Sequence, residues 1–219
     1  LNGIEVSQKL ISFLTFLPLF FISLTIHEFA HAYSAYKLGD NTAKDLGRLS
    51  LNPIKHLDLI GSVIMPIMSF ASGFALIGWA KPVPVNRANL KNGLRDDAVV
   101  SFAGPLSNLV LAVIFFFCFL ALFHNHGLMG SYNKAAADMI WYGFYFNIFL
   151  FFFNLIPIPP LDGSFILYDL FPNKITAKLL SFGLYGSLIL MFFIYSPLWG
   201  IFMKLITFVM EIFINLAGI

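Results

Sequence analysis

Long apolar windows separated by short polar punctuation set the pattern of this chain. Uncharged runs cover Leu10–Ile26, Leu59–Ala80, Ala98–Phe123, Met139–Leu161 and Leu179–Met203. About 20 apolar residues suffice for a helix to cross a bilayer. Ser196-Pro197 divides the last run, so six segments are expected: 8–38, 58–79, 97–123, 137–157, 176–195 and 198–217. None of them alternates polar and apolar residues with a period of two. Because backbone groups in hydrocarbon must be satisfied internally, the segments are read as helices and not as barrel strands. The expected fold is an all-α polytopic membrane protein, one bundle of about six transmembrane or re-entrant segments. No repeat or linker divides it, so residues 1–219 are expected to form a single domain, with a core over 8–170 and accessory segments over 176–217.

The segment over 58–79 is the weakest helix. Gly61, Pro66, Gly73 and Gly78 all disfavour regular helix. A re-entrant hairpin is preferred here to a crossing, because it makes the first and fourth segments parallel and brings their C-terminal ends together. The following stretch, residues 79–87, carries Pro82 and Pro84 two apart, which excludes helix and suits a short extended strand or loop with one edge free of donors. Lys37, Lys44, Arg48 and Lys55 follow the first segment and Lys81, Arg87, Lys91 and Arg95 follow the second, so positive charge alone does not orient the chain.

Composition supports the pattern. Of 219 residues, 59% are hydrophobic and only 11% charged, with 27 Phe, too little polar surface to clothe a soluble core. The lipid bilayer is the expected solvent. Cys118 is the single cysteine and has no partner in the chain for a disulfide; it reads as a small apolar packer. A net charge of +2 with no basic cluster gives no reason to expect nucleic acid as a partner.

Against this background each ionisable residue inside an apolar window is a candidate for function. His27-Glu28-Phe29-Ala30-His31 closes the first long window. Positions i and i+4 share a helix face, so His27 and His31 converge on one point, and Glu28 can reach a water held there. This is the order of a zinc hydrolase, but a catalytic zinc needs a third protein ligand. His56, beside Lys55 and Asp58, reads as a solvated loop residue, as do His124 and His126. Asp162 differs: it follows Asn154-Leu-Ile-Pro-Ile-Pro-Pro-Leu161 at the end of an uncharged window, with Gly163 after it and no adjacent Lys or Arg. It calls for a cation, and it also suits the N-cap of a short helix over 163–170. Gly104-Pro105, with Asn108 one turn further in, reads as a helix kink, the alternative being that these residues pack against the site or help line its access path.

These two motifs together resemble the site-2 protease family of intramembrane zinc metalloproteases, in its short bacterial form without a PDZ domain. Further matches are Gly47-Arg48-Leu49-Ser50-Leu51-Asn52-Pro53, Trp79-Ala-Lys-Pro-Val-Pro-Val-Asn86 and Ala103-Gly104-Pro105-Leu106-Ser107-Asn108, together spanning about Ile26 to Leu167. Ser164 departs from the second glycine that many members carry. The resemblance implies one Zn²⁺ per chain held by His27, His31 and Asp162, with Glu28 as catalytic base and acid. It also implies that Asn154 helps to hold substrate or the oxyanion. The implied reaction is hydrolysis of a peptide bond in or near the transmembrane segment of a membrane-protein substrate, and the implied location is a bacterial inner membrane. Pro82, Val83, Pro84 and Val85 are expected to dock that substrate as an added strand. A cation or proton pathway built from the same four ionisable residues is the competing reading, and a catalytically dead scaffold is a third. The order His-Glu-x-x-His and the absence of an internal repeat speak against the pathway, and four filled positions speak against the scaffold.

Overall fold

The computed structural model describes residues 3–72, 78–124 and 132–218. Its helices are α1 (Gly3–Leu38), α2 (Thr42–Asp45), α3 (Met65–Ser72), α4 (Leu94–His124), α5 (Tyr132–Asn154), α6 (Asp162–Leu170), α7 (Lys174–Ser181), α8 (Gly186–Tyr195) and α9 (Pro197–Ala217). Among the described residues, four helices are long and apolar enough to cross a membrane: Phe13–Leu38, Leu94–Leu122, Ala136–Asn154 and Pro197–Ala217. The protein is an all-α polytopic membrane protein.

Side-chain contacts fix the helix directions. His31 meets Val100 and Ser23 meets Asn108, so α1 and α4 run antiparallel. Phe116 packs on Phe144 while Asn108 reaches Asn147, so α4 and α5 are antiparallel as well. Thus α1 and α5 are parallel. On α9, Trp199 lies against Phe153 and Phe213 against Phe144, which sets it antiparallel to α5. Lipid supplies no hydrophobic drive between helices, so cohesion must come from close packing and internal hydrogen bonds. Phe144, Ile148 and Ile206 are fully buried at the centre. Around them the rings of Phe116, Phe144 and Phe213 meet at centroid distances of 5.1 and 5.3 Å, within the range where edge and face contacts are favourable.

The segment over 58–79 does not cross. Asp58 caps a π-helical turn over Leu59–Ile64 by accepting from the amides of Ile60 and Gly61, and this turn continues into α3. The chain then returns to its starting point. Trp79 N–H donates to the Gly61 carbonyl at 3.0 Å, Ser62 Oγ donates to the Trp79 carbonyl at 2.7 Å, and Lys81 N–H donates to the His56 carbonyl at 2.9 Å. A continuous helix would have carried residue 79 about 27 Å from residue 61, at ~1.5 Å per residue. Gly61 permits the return, because a Cβ there would lie 2.4 Å from the Trp79 indole. Gly73 falls outside the described residues. The hairpin puts both basic clusters, Lys37 to Lys55 and Lys81 to Arg95, at the same end of the bundle.

The sixfold segmentation needs one correction. The expected segment 176–195 is two helices, α7 and α8, meeting at 89°. A 3-10 turn at Gly183–Tyr185, with Gly183 at φ 48°, makes the break. Gly186 begins α8 against the Pro159 carbonyl and Phe193 ends it near Trp199, so α8 stays at the end where α5 finishes and α9 starts.

Residues 78–86 form an extended run without strand partners, and there is no strand among the described residues. The run is fastened at both ends. Arg48 Nη2 donates to the Lys81 carbonyl at 2.6 Å. At the far end buried Asp40 accepts from Asn86 N–H at 2.7 Å and from Asn89 Nδ2 at 2.9 Å. Asp40 thereby gains bonds to its charged form, which outweigh the opposing effect of burial and hold its carboxyl below the ordinary carboxylate range. His56, expected to be solvated, is instead buried: Nε2–H donates to the Ser50 carbonyl at 2.7 Å and closes the loop over the hairpin base. Cys118, expected to pack inside, faces outward.

Candidate metal centre

The geometry of α1 places His27 and His31 one turn apart, and the parallel course of α5 delivers the chain that follows it to the same end. The prolines after Asn154 end α5, the chain turns through Ile156–Leu161, and α6 begins at Asp162. Leu161 occupies the cap position and Asp162 makes no cap hydrogen bond, so the expected capping role is not the one it fills. Its carboxylate turns to α1 instead. Asp162 Oδ2 lies 3.2 Å from His27 Nε2 and 3.4 Å from His31 Nε2, and the two Nε2 atoms are 3.0 Å apart. His124 and His126 contribute nothing that can be described, since neither side chain is among the described ones.

These three atoms fit a metal. A tetrahedral Zn²⁺ with bonds of ~2.0–2.1 Å has ligand–ligand edges of ~3.3–3.4 Å, close to the observed triangle. Hydrogen bonding gives the chemical reason. His31 Nδ1–H donates to the Val100 carbonyl at 2.7 Å. A carbonyl only accepts, so the proton of the neutral ring sits on Nδ1 and the Nε2 lone pair points inward. His27 Nδ1–H donates to Asn108 Oδ1 at 2.7 Å, with the same consequence. Asp162 Oδ2 is buried without a hydrogen-bond partner. Two lone pairs and a carboxylate oxygen packed this closely repel one another unless a cation lies among them.

Gly104 makes room for the rings. A Cβ on it would lie 2.2 Å from His31 Nε2 and 2.7 Å from His27 Cε1. Of the two expected roles, a helix kink with Pro105 and packing against the site, this contact supports the second; α4 runs as one helix through both residues.

Glu28 is half-buried on the neighbouring face of α1, where Oε2 accepts Val83 N–H at 2.8 Å. The extended run therefore passes directly beside the carboxylate. Pro82 is exposed, Val83 and Pro84 are half-buried, and Val85 packs against the cluster of Ala35, Leu90 and Val100. Asn154 stands at the last position of α5, its Nδ2 donating to the Leu150 carbonyl at 3.0 Å, and no hydrogen bond joins it to the three converging atoms.

The far end of α6 is secured by a group not anticipated from sequence. Asp169, two turns beyond Asp162, is buried against Asp97 of α4. Arg87 Nε lies 2.8 Å from Asp97 Oδ2, and its guanidinium sits 4.9 Å over the Phe165 ring. Burial, then the Asp97 charge, push the Asp169 carboxyl up to about 7, with Arg87 opposing. Neither Asp169 oxygen has a hydrogen-bond partner, so only the Arg87 charge favours its ionised form. The signal for this in the sequence is only a pair of acids in distant segments.

Comparison with known proteins agrees with this chemistry. Residues 124–194 match the profile of peptidase family M50. YwhC of Bacillus subtilis, a candidate zinc metalloprotease by its name, is 43% identical over 179 residues, covering 81% of this chain and 78% of that protein. The chain belongs to the site-2 protease family, peptidase family M50. It is a zinc metalloprotease and an integral membrane protein. Rip2 of Mycolicibacterium smegmatis, also named as a candidate zinc metalloprotease, is 34% identical over 146 residues, 65% of this chain and 51% of that protein. The archaeal protein MJ0611 of Methanocaldococcus jannaschii, named likewise, is 35% identical over 75 residues, 33% of this chain and 34% of its own length. The chain thus spans about half of Rip2 and a third of MJ0611. No solved structure matches it.

Two tests follow from this site. Gly104→Ala should weaken zinc binding by about tenfold or more, as a displaced ligand would, measured by chelator competition. Asp169 has a folded-state carboxyl raised above its unfolded value, so its stabilising contribution is complete below ~4 and lost as pH rises through about 7. Thermal unfolding of the wild type should therefore fall across that window relative to Asp169→Asn, whose profile should be flatter.

Proposed function

We propose that this metalloprotease hydrolyses a peptide bond in or near a transmembrane segment of a membrane-protein substrate, using one zinc ion per chain. The observation that carries this reading is the triangle of His27 Nε2, His31 Nε2 and Asp162 Oδ2, which lies beside Glu28 in a bundle of apolar helices. Zinc bound there supplies Lewis acidity to water and to the scissile carbonyl. Glu28 takes the proton of the attacking water and delivers it to the leaving amine, in reach of both from the next position on α1. Its bond from Val83 N–H aims the carboxylate at the extended run where substrate lies. Asn154 retains a second amide hydrogen, and this is the donor assigned to the developing oxyanion, a contribution of ~3 kcal/mol for one such group.

A substrate helix hides its peptide bonds in its own hydrogen bonds, so it must be received as an extended strand. Residues 83 and 85 direct their backbone groups to one side of the extended run, the side on which Val83 meets Glu28. Pro82 and Pro84 offer no donor on the other side. Substrate accordingly pairs with Val85 N–H and the carbonyls of this edge, Val83 N–H being held by Glu28, and lies next to the base. The excess of Lys and Arg at this end, set against Lys9 and Lys134 at the other, supports a reading in which the catalytic end faces the cytoplasm across a bacterial inner membrane.

With purified protein in lipid and a transmembrane reporter peptide, the wild type should hold about one zinc per chain. Glu28→Gln should keep the metal but cleave ~10²–10⁴-fold more slowly; cleavage at the wild-type rate would remove the assignment. Val85→Pro should slow cleavage by ~3–10-fold through one lost substrate hydrogen bond, with zinc content unchanged, and an unchanged rate would dispose of the strand-docking idea.

A further inference from the structure

The centre of the bundle holds three polar side chains with no solvent exposure: Ser23 on α1, Asn108 on α4 and Asn147 on α5. Their hydrogen bonds form a directed chain, and its direction is fixed from the end furthest from the metal centre. Asn147 Nδ2 lies 2.8 Å from the Gly143 carbonyl and 2.9 Å from Ser23 Oγ. A carbonyl cannot donate, so the amide nitrogen must occupy that side, and Oδ1 is turned to Asn108. Asn108 therefore presents Nδ2, which donates to Asn147 Oδ1 at 3.0 Å and to the Ser23 carbonyl at 3.3 Å. This leaves Asn108 Oδ1 facing His27 Nδ1 at 2.7 Å, where only an acceptor can keep the ring proton on Nδ1.

We infer that Asn147, through Asn108, is a positioning residue that selects the tautomer of His27 in which Nε2 is free for zinc. The inference rests on the proposed ligand set and deepens it. An asparagine is a reversible element: rotated by half a turn, Asn108 would offer Nδ2 to His27 Nδ1, and the ring would carry its proton on Nε2, facing the metal position. Such a ring cannot ligate. Asn147 and the Ser23 carbonyl hold Asn108 against that rotation. His31 needs no such device, because its acceptor is the backbone carbonyl of Val100, which has no alternative orientation. The two ligands are thus secured differently, one by main chain and one by a side-chain relay across three helices.

Because outer partners of a metal-bound histidine typically set affinity by ~10–100-fold, the test is zinc affinity by chelator competition. Asn147→Leu should weaken zinc binding by about tenfold. Adding Asn108→Asp to it should restore binding to within about threefold, because both carboxylate oxygens accept and rotation no longer matters. A purely structural role predicts the reverse, since a second buried change with a charge would weaken the protein further. Asn147→Leu binding zinc like the wild type, or a double variant no better than the single one, would overturn the inference. Should the leucine variant fail to fold, Asn147→Ala, which also removes the amide oxygen that Asn108 Nδ2 meets, takes its place in both measurements with the same outcomes expected. A wild type that holds no zinc would instead count against the ligand set itself.

Discussion

Two imidazole lone pairs and a carboxylate oxygen, each about 3 Å from the others and shielded from water, form an arrangement that only a cation can stabilise. Much of the surrounding structure is intelligible as the means of holding these atoms together. The Val100 carbonyl and the Asn108 amide each take an Nδ1 proton and so commit both Nε2 atoms to the same point. Gly104 withdraws its side chain from the space the rings need. Asp162 reaches them because α6 is pinned at its other end, where Asp169 and Asp97 meet under Arg87. With the proposed ligand set, metal affinity would be spread over α1, α4 and α6.

The re-entrant hairpin is the topological condition for this geometry. Were residues 58–79 to cross, α1 and α5 would point in opposite directions and the turn after α5 would lie across the membrane from His27. By returning to Gly61, the chain makes α1 and α5 parallel and brings the extended run to the face of Glu28. Arg48 and Asp40 then hold the two ends of that run with charge-assisted bonds to main-chain atoms, leaving its middle to face the Glu28 carboxylate. Hairpin, run and metal centre are in this sense one construction at one end of the bundle.

Three fully buried polar side chains of the membrane-embedded part are joined to this centre. A single network through Ser23, Asn147 and Asn108 joins three helices and ends on His27, one of the three proposed zinc ligands. Elsewhere the helices cohere through aromatic contacts, which need no partner of opposite polarity and tolerate the apolar surroundings. The bundle therefore separates its tasks: rings hold the helices together, and amides set the protonation of His27.

Much was readable in the sequence because it depends on local spacing or on the solvent. Windows of apolar residues gave the four crossing helices, the i and i+4 spacing put His27 and His31 on one face, and paired prolines kept 79–86 out of helix, a 3-10 turn starting at Arg87. Asp162 stood out because an acid at the end of an uncharged window has no other charge to offset it. What tertiary structure alone decided is what depends on contacts between distant segments. His56 is buried only because Ser50 and Lys81 close over it, α7 and α8 divide at a turn that no long apolar run betrays, and Gly104 matters for the rings of another helix. Asn147 is an amide in the middle of an apolar helix, a polar position the sequence displays. Its meaning is not displayed there, because the orientation of an amide is set by what it faces, and what it faces lies more than 120 positions away in the chain at Ser23.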